Sequence, residues 1–73
     1  MIDMREFGRR LVELRRKANL RQKDLADRCS VSVQAVSKWE NGKSYPDMMI
    51  IDEVAAALGV TINELFEDCR KDK

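Results

Sequence analysis

Apolar residues near the start of the chain recur at spacings of four, three and four, which is typical of one face of an amphipathic helix. These residues are Phe7, Leu11, Leu14 and Ala18. Asn19 follows them directly, and asparagine tolerates the left-handed backbone conformation that closes many helices. The pattern therefore predicts a first helix over residues 4–18.

Two short helices are predicted next, separated by a serine-rich break. The first covers about 22–29, where small and apolar residues fall three and four apart. Ser32 is suited to cap the second, over about 32–41, which carries Val36 and Trp39 on its inward side.

The remaining helices have clear start signals. Asp47 can cap a fourth helix, which Gly59 ends. Thr61 and Glu64 have the spacing of a capping box and predict the start of a fifth. The chain shows no strand signal and no internal repeat, so the predicted fold is all-α, a compact five-helix bundle.

Length and composition limit the chain to a single domain. Seventy-three residues with 44% apolar and 37% charged side chains fit one small domain with a thin core. We expect this domain to cover residues 1–67, followed by a charged tail over 68–73.

The cysteines favour a reducing compartment. Cys29 and Cys69 lie forty residues apart in a chain without histidine, which fits neither a zinc site nor a disulfide framework. Cys29 is expected in the core and Cys69 as a free thiol. Because the N-terminus lacks a signal-peptide pattern and no apolar run could span a bilayer, we expect a soluble, cytoplasmic protein without metal, cofactor or membrane partner.

Charge is divided unevenly along the chain. Residues 1–45 hold eleven Lys/Arg and six Asp/Glu, a net +5, whereas residues 46–73 hold three and seven, a net −4. A polyanion would be attracted to the first part and repelled by the second, which predicts an oriented encounter with nucleic acid. Ordinary solvated helix faces are the alternative explanation.

The outward side of the third helix has the composition of a base-reading surface. Glutamine can bind an adenine edge, lysine can donate to guanine, and valine can pack on a thymine methyl group. The expected base-contacting residues are Val33, Gln34, Ser37 and Lys38. Any solvent-facing helix could carry such residues, so the flanking groups decide the interpretation.

Those flanks supply groups suited to phosphate. The backbone N–H groups at the start of the second helix could bind an anion, because Arg21 stands where a side-chain cap is normal. Asp24 could instead replace the missing cap. The expected phosphate-contacting residues are Arg21, Gln22, Ser32, Asn41, Lys43 and Ser44.

Two stretches of sequence, QKDLADRCSVSVQAVSKWENGKSYPD and ALGVTINELF, resemble the phage repressor and Cro-type helix-turn-helix family, also called the XRE family. The resemblance runs from about Phe7 to Phe66. It implies a lambda repressor-like domain and a sequence-specific transcriptional regulator that binds double-stranded DNA, with repression the expected mode. Phage repressors also exemplify the docking of such a helix in the major groove.

The family resemblance also implies particular residue roles. Positions matching Gln22, Asn41 and Lys43 contact phosphates, and those matching Val33, Gln34 and Lys38 face bases. A structural ion pair is implied between Arg15 and Glu40. Two residues depart from the family pattern: Ser30 replaces the usual turn glycine, and Arg21 occupies the capping position.

Two other classes of function compete with DNA binding. Catalysis is not expected, because the chain offers no histidine, no paired carboxylates and no glycine-rich phosphate loop. A protein-binding module is the stronger rival, including an antitoxin that binds a toxin and represses its own operon. Most of Met48, Met49, Ile62 and Phe66 should lie in the core, with part of this region serving a homodimer.

Overall fold

The computed structural model describes residues 3–67, which form five α-helices and no strand. The helices are α1 (Met4–Lys17), α2 (Gln22–Cys29), α3 (Val33–Glu40), α4 (Met48–Leu58) and α5 (Ile62–Leu65). All five predicted helices are confirmed. None of them is long and apolar enough to cross a membrane. The predicted tail and Cys69 lie outside the described residues.

Side-chain caps begin α3, α4 and α5 as predicted. Ser32 and Asp47 each accept a hydrogen bond from the backbone N–H three residues later, at 3.1 and 3.0 Å. Thr61 and Glu64 form a reciprocal capping box with bonds of 3.0 and 2.8 Å. These bonds lower the pKa of Glu64. No side-chain oxygen caps α2, where Arg21 precedes the first helical residue.

A residue with a left-handed backbone follows each of the first four helices. These residues are Asn19, Ser30, Gly42 and Gly59, with φ between 58° and 74°. In each case two backbone N–H groups turn back to carbonyls of the last helical turn, the arrangement of a Schellman motif. The closing role predicted for Asn19 is confirmed, and Ser30 occupies its turn with φ 58°.

The core forms where α1 packs on α3 and α5 and where α2 packs on α3 and α4. Phe7 is fully buried, with its ring 5.1 Å from that of Phe66 and 5.5 Å from that of Tyr45. Cys29 is also fully buried, as predicted, and burial raises the pKa of its thiol. The outward-facing half of the helix-turn-helix is left uncovered by this packing.

The expectation that most of Met48, Met49, Ile62 and Phe66 lie in the core was wrong. Met48 and Met49 are 85% and 80% exposed, Ile62 is 44% exposed, and only Phe66 packs against the core. The fully buried residues of α4 all lie in its C-terminal half, whereas Ile50 and Ile51 in its first turn are only partly buried against the core. Helical spacing predicted the face of α4 correctly but could not show where the neighbouring helices end.

Candidate nucleic-acid interface

Helices α2 and α3 form a tight helix-turn-helix. The turn between them is Ser30 to Ser32, and its left-handed first residue reverses the chain. Val36 and Trp39 of α3 are buried, at 0% and 4% exposure. This packing fixes which side of α3 faces solvent.

The solvent-facing side of α3 is the surface expected to read bases. Val33, Gln34 and Lys38 are exposed, and Ser37 is half-buried. We call these four residues the reading face. Together they present methyl groups, an amide, a hydroxyl and an ammonium group, which suit the varied chemistry of base edges.

One member of the reading face is hydrogen-bonded to a predicted phosphate contact. The Asn41 side-chain amide donates to the Ser37 hydroxyl oxygen at 3.2 Å. The hydroxyl keeps its own O–H to donate. Ser37 therefore both faces outward and orients Asn41 at the end of α3.

The C-terminal end of α3 presents several of the expected phosphate contacts. Asn41 and Lys43 are exposed, and Ser44 is half-buried. Gly42 has φ 74°, and the Lys43 N–H donates to the Lys38 carbonyl at 2.9 Å. The Schellman turn thus directs the chain away from the helix axis immediately beyond the reading face.

At the N-terminal end of α2 the structure agrees with the second of the two alternatives, in which Asp24 partly replaces the missing cap. The Arg21 guanidinium donates to both carboxylate oxygens of Asp24, at 3.0 and 3.1 Å, and the Arg21 backbone N–H donates to the same group at 2.9 Å. Hydrogen bonds from Arg21 lower the pKa of Asp24 to about 2. Arg21 is exposed but already paired, and its i, i+3 spacing from Asp24 was the sequence signal for this pair.

A largely buried polar network joins α1, α2 and α3. Arg15 forms the implied pair with Glu40, through Nε to Oε2 at 2.6 Å and Nη2 to Oε1 at 3.2 Å, and also donates to the Leu20 carbonyl. The Gln22 amide donates to Glu40 Oε1 at 2.8 Å. The Glu40 side chain is only 4% exposed. The pair is confirmed, whereas the bond to Gln22 was not foreseen.

Gly8 was also missed by sequence reasoning. A Cβ at this position would lie 2.5 Å from the Glu40 carbonyl oxygen and 2.7 Å from that of Trp39. Only glycine lets α1 pass this close to the end of α3. The available signal was a glycine inside an amphipathic helix, which commonly marks close packing.

Within residues 3–67, no group of histidine, cysteine, aspartate or glutamate side chains could hold a metal ion. The described interface instead combines a polar outward helix face with exposed amide and ammonium groups at its end. This combination, mounted on two helices and a tight turn, defines a DNA-binding helix-turn-helix domain.

Comparison with known proteins identifies the family. Residues 11–65 match the family model described as helix-turn-helix. Over 61 residues the chain is 45% identical to the HTH-type transcriptional activator BcrR of Enterococcus faecalis; the match covers 84% of this chain but only 30% of BcrR.

Two solved structures are similar to this chain in both fold and sequence. The controller protein C.AhdI from Aeromonas hydrophila superposes with a TM-score of 0.83 at 34% identity, covering 88% of this chain and 93% of that one. The P22 c2 repressor in complex with a synthetic operator gives 0.78 at 28% identity, covering 84% and 92%. The chain belongs to the helix-turn-helix family of transcriptional regulators, as its resemblance to phage repressors predicted.

Proposed function

We propose that this protein is a repressor that reads double-stranded DNA by placing α3 in the major groove. The observation that carries the proposal is the orientation of α3. Its apolar side, with Val36 and Trp39, is buried, whereas Gln34 and Lys38 are exposed. A helix held in this way can enter a groove without any rearrangement of the core.

The proposed base contacts follow from side-chain chemistry. Gln34 can make two hydrogen bonds to adenine, and Lys38 can donate to guanine O6 and N7. Val33, which is 39% exposed, can pack against a thymine methyl group. Ser37, bonded to Asn41, is suited to a single shorter contact with a base edge.

The proposed phosphate contacts surround this face. Asn41 and Lys43 lie beyond the end of α3, and Ser44 follows them in the loop. Ser32 and Gln22 lie at the starts of α3 and α2. Arg21 can contribute only if its guanidinium shares its N–H groups between Asp24 and a phosphate, which five donors allow.

Selection of bound sites from random duplexes tests the proposal. At a stated salt concentration, one sequence class should be enriched, and the selected duplex should bind about 10³-fold or more tightly than a scrambled one. Equal affinity for the selected and scrambled duplexes would contradict sequence-specific reading, and failure to bind either would remove the DNA-binding function itself.

We also propose a homodimer that contacts two half-sites about 34–36 Å apart. Support comes from Met48 and Met49 in the first turn of α4 and Ile62 in α5, which expose apolar side chains to solvent. Pairing would bury them and would deepen a small core. A toxin partner stays a prediction from the sequence.

Sedimentation equilibrium tests the dimer. Met48→Glu combined with Met49→Glu should weaken self-association, because two carboxylates would be buried at the contact. Met4→Glu is the control, since it makes one substitution of the same kind at an exposed methionine of α1. A wild-type protein that stays monomeric at concentrations saturating for DNA, or a double variant that dimerises normally, would contradict this interface.

The proposed role is non-enzymatic and cytoplasmic. The buried Cys29 is a free cysteine, which fits a reducing compartment. Repression requires only that the bound domain occupies its site and excludes competing proteins. No cofactor enters this mechanism.

A further inference from the structure

The Glu40 carboxylate lies between the two groups of proposed phosphate contacts. It is the last residue of α3, directly before Asn41, and it accepts a hydrogen bond from Gln22 at the first position of α2. Arg15 holds the same carboxylate from α1 with two hydrogen bonds. Arg15 therefore holds the Glu40 carboxylate in place independently of Gln22.

A glutamine side chain can turn either its amide nitrogen or its amide oxygen toward a phosphate. Its amide nitrogen carries two N–H donors, whereas its oxygen only accepts. A phosphate oxygen also only accepts, so a Gln22 amide rotated by 180° would meet DNA with two acceptors facing each other. Glu40 selects the useful orientation, because a carboxylate can accept only from the nitrogen.

We propose that Glu40 is a positioning residue for DNA binding: it engages one N–H of the Gln22 amide so that the second N–H is aimed at a phosphate. This inference rests on the proposed function. The Gln22–Glu40 bond of 2.8 Å orients the donor in the free protein. The contact then forms without the ordering of a long side chain, which otherwise opposes association.

A purely structural role for Glu40 makes a different prediction. Removing one partner of a buried ion pair strongly destabilises a domain, and this loss would occur whatever residue stands at position 22. Stability alone therefore cannot distinguish the two roles. The two roles can be distinguished by whether the effect of Glu40→Gln on DNA affinity depends on the presence of Gln22.

The test is a double-mutant cycle on affinity for a random-sequence duplex, which reports phosphate contacts. Gln22→Met removes the amide and keeps the side-chain length, and Glu40→Gln removes the carboxylate charge. Each single variant should bind about tenfold more weakly, the effect of one charge-assisted hydrogen bond. Glu40→Gln introduced into the Gln22→Met protein should cost less than about twofold more, because the coupled contact is already absent.

Circular dichroism must show each variant folded at the temperature of the binding measurement. Equal losses from Glu40→Gln in both backgrounds would overturn the positioning role, as would full affinity of the single Glu40→Gln variant. A wild-type protein that binds no duplex would instead refute the proposed function, which keeps the two failures distinguishable.

A second measurement needs no substitution at Glu40. In nitrogen-15 spectra of the wild-type protein, the two Gln22 side-chain N–H protons give separate signals. Added duplex should shift one of them strongly, the proton aimed at phosphate, and leave the proton bonded to Glu40 nearly unchanged. Equal shifts of both protons, or no shift of either, would overturn the inference even where Glu40→Gln fails to fold.

Discussion

Gly8 shows how one absent side chain determines the position of the reading face. Here α1 approaches the last turn of α3, and the carbonyl oxygens of Trp39 and Glu40 occupy the space that a Cβ would need. Those carbonyls belong to backbone, so they cannot move without shifting α3. The separation between α1 and α3 depends on this single position.

Gly8→Ala should therefore destabilise the protein, although alanine favours a helix interior by about 1 kcal/mol relative to glycine. Overpacking costs about 1–3 kcal/mol, and contact with rigid backbone favours the upper part of that range. Urea denaturation measures the difference. A Gly8→Ala protein that unfolds at the same or a higher urea concentration would contradict the close approach.

Asp24 makes the stability of the fold depend on pH at low pH. Its pKa is about 2 in the folded protein, below the ordinary value of 3.8, because Arg21 donates to it. Between these values the unfolded chain binds more protons than the folded one, so stability rises with pH. The contribution is fully present above about pH 4 and is lost as the pH falls through 2.

Asp24→Asn should flatten the dependence of the urea midpoint on pH between 2 and 4, relative to wild type. Asp27→Asn is a matched control, since it removes a carboxylate from the same helix that faces Lys23 rather than Arg21. If Asp24→Asn leaves the pH dependence unchanged, or Asp27→Asn alters it more, the pairing with Arg21 is not the cause.

Contacts between residues close together in the sequence could be predicted, whereas a contact between distant residues could not. Ser32, Asp47 and Thr61 were expected as caps, because a capping bond joins residues three positions apart and so can be read from the sequence. The bond between Gln22 and Glu40 joins residues eighteen positions apart, on different helices. Its geometry depends on how α2 crosses α3, which no local pattern specifies.

At the scale of elements, the turn between α2 and α3 places a non-glycine residue in the left-handed backbone conformation. Ser30 has φ 58°, and a residue with a Cβ pays about 1–2 kcal/mol in the left-handed conformation. The backbone bonds of the turn, including Val31 N–H to the Ala26 carbonyl at 3.0 Å, hold it there. The resemblance to the XRE family had marked this position, because glycine is usual there.

Ser30→Gly should raise the free energy of unfolding by up to about 1 kcal/mol, since the relief of strain exceeds the added entropy of glycine in the unfolded chain. Ser32→Gly, two residues later, should lower it by a few tenths, because that position has extended backbone and a capping bond. Thermal unfolding of both variants is the measurement. Destabilisation by Ser30→Gly would show that the serine side chain supports the turn.

Helix identity was more predictable than helix environment. Apolar spacing and caps located all five helices, and α4 was given its correct bounds by Asp47 and Gly59. The exposure of Met48 and Met49 at its start was not anticipated, because their apolar side chains resemble those of a buried segment. What covers a helix face depends on the lengths and crossing positions of its neighbours.

At the scale of the whole molecule, the positive net charge lies in the same part of the chain as the reading face. The net +5 of residues 1–45 includes α1, α2, α3 and the loop that carries Lys43, whereas residues 46–73 have a net −4. An approaching polyanion is therefore attracted to the part of the chain with the reading face. This asymmetry and the family motif were visible in the sequence, but the network that ties Gln22 to α3 needed the folded structure.

The most direct test of base reading compares Lys38→Ala with Lys43→Ala on a selected site and on random duplexes over a range of salt concentrations. Lys38→Ala should cost about 1–3 kcal/mol on the selected site and little on random DNA, because it removes a base contact. Lys43→Ala should weaken both alike and reduce the salt slope by about one unit. Equal losses on selected and random DNA for both variants would contradict the assignment of α3 as the reading helix.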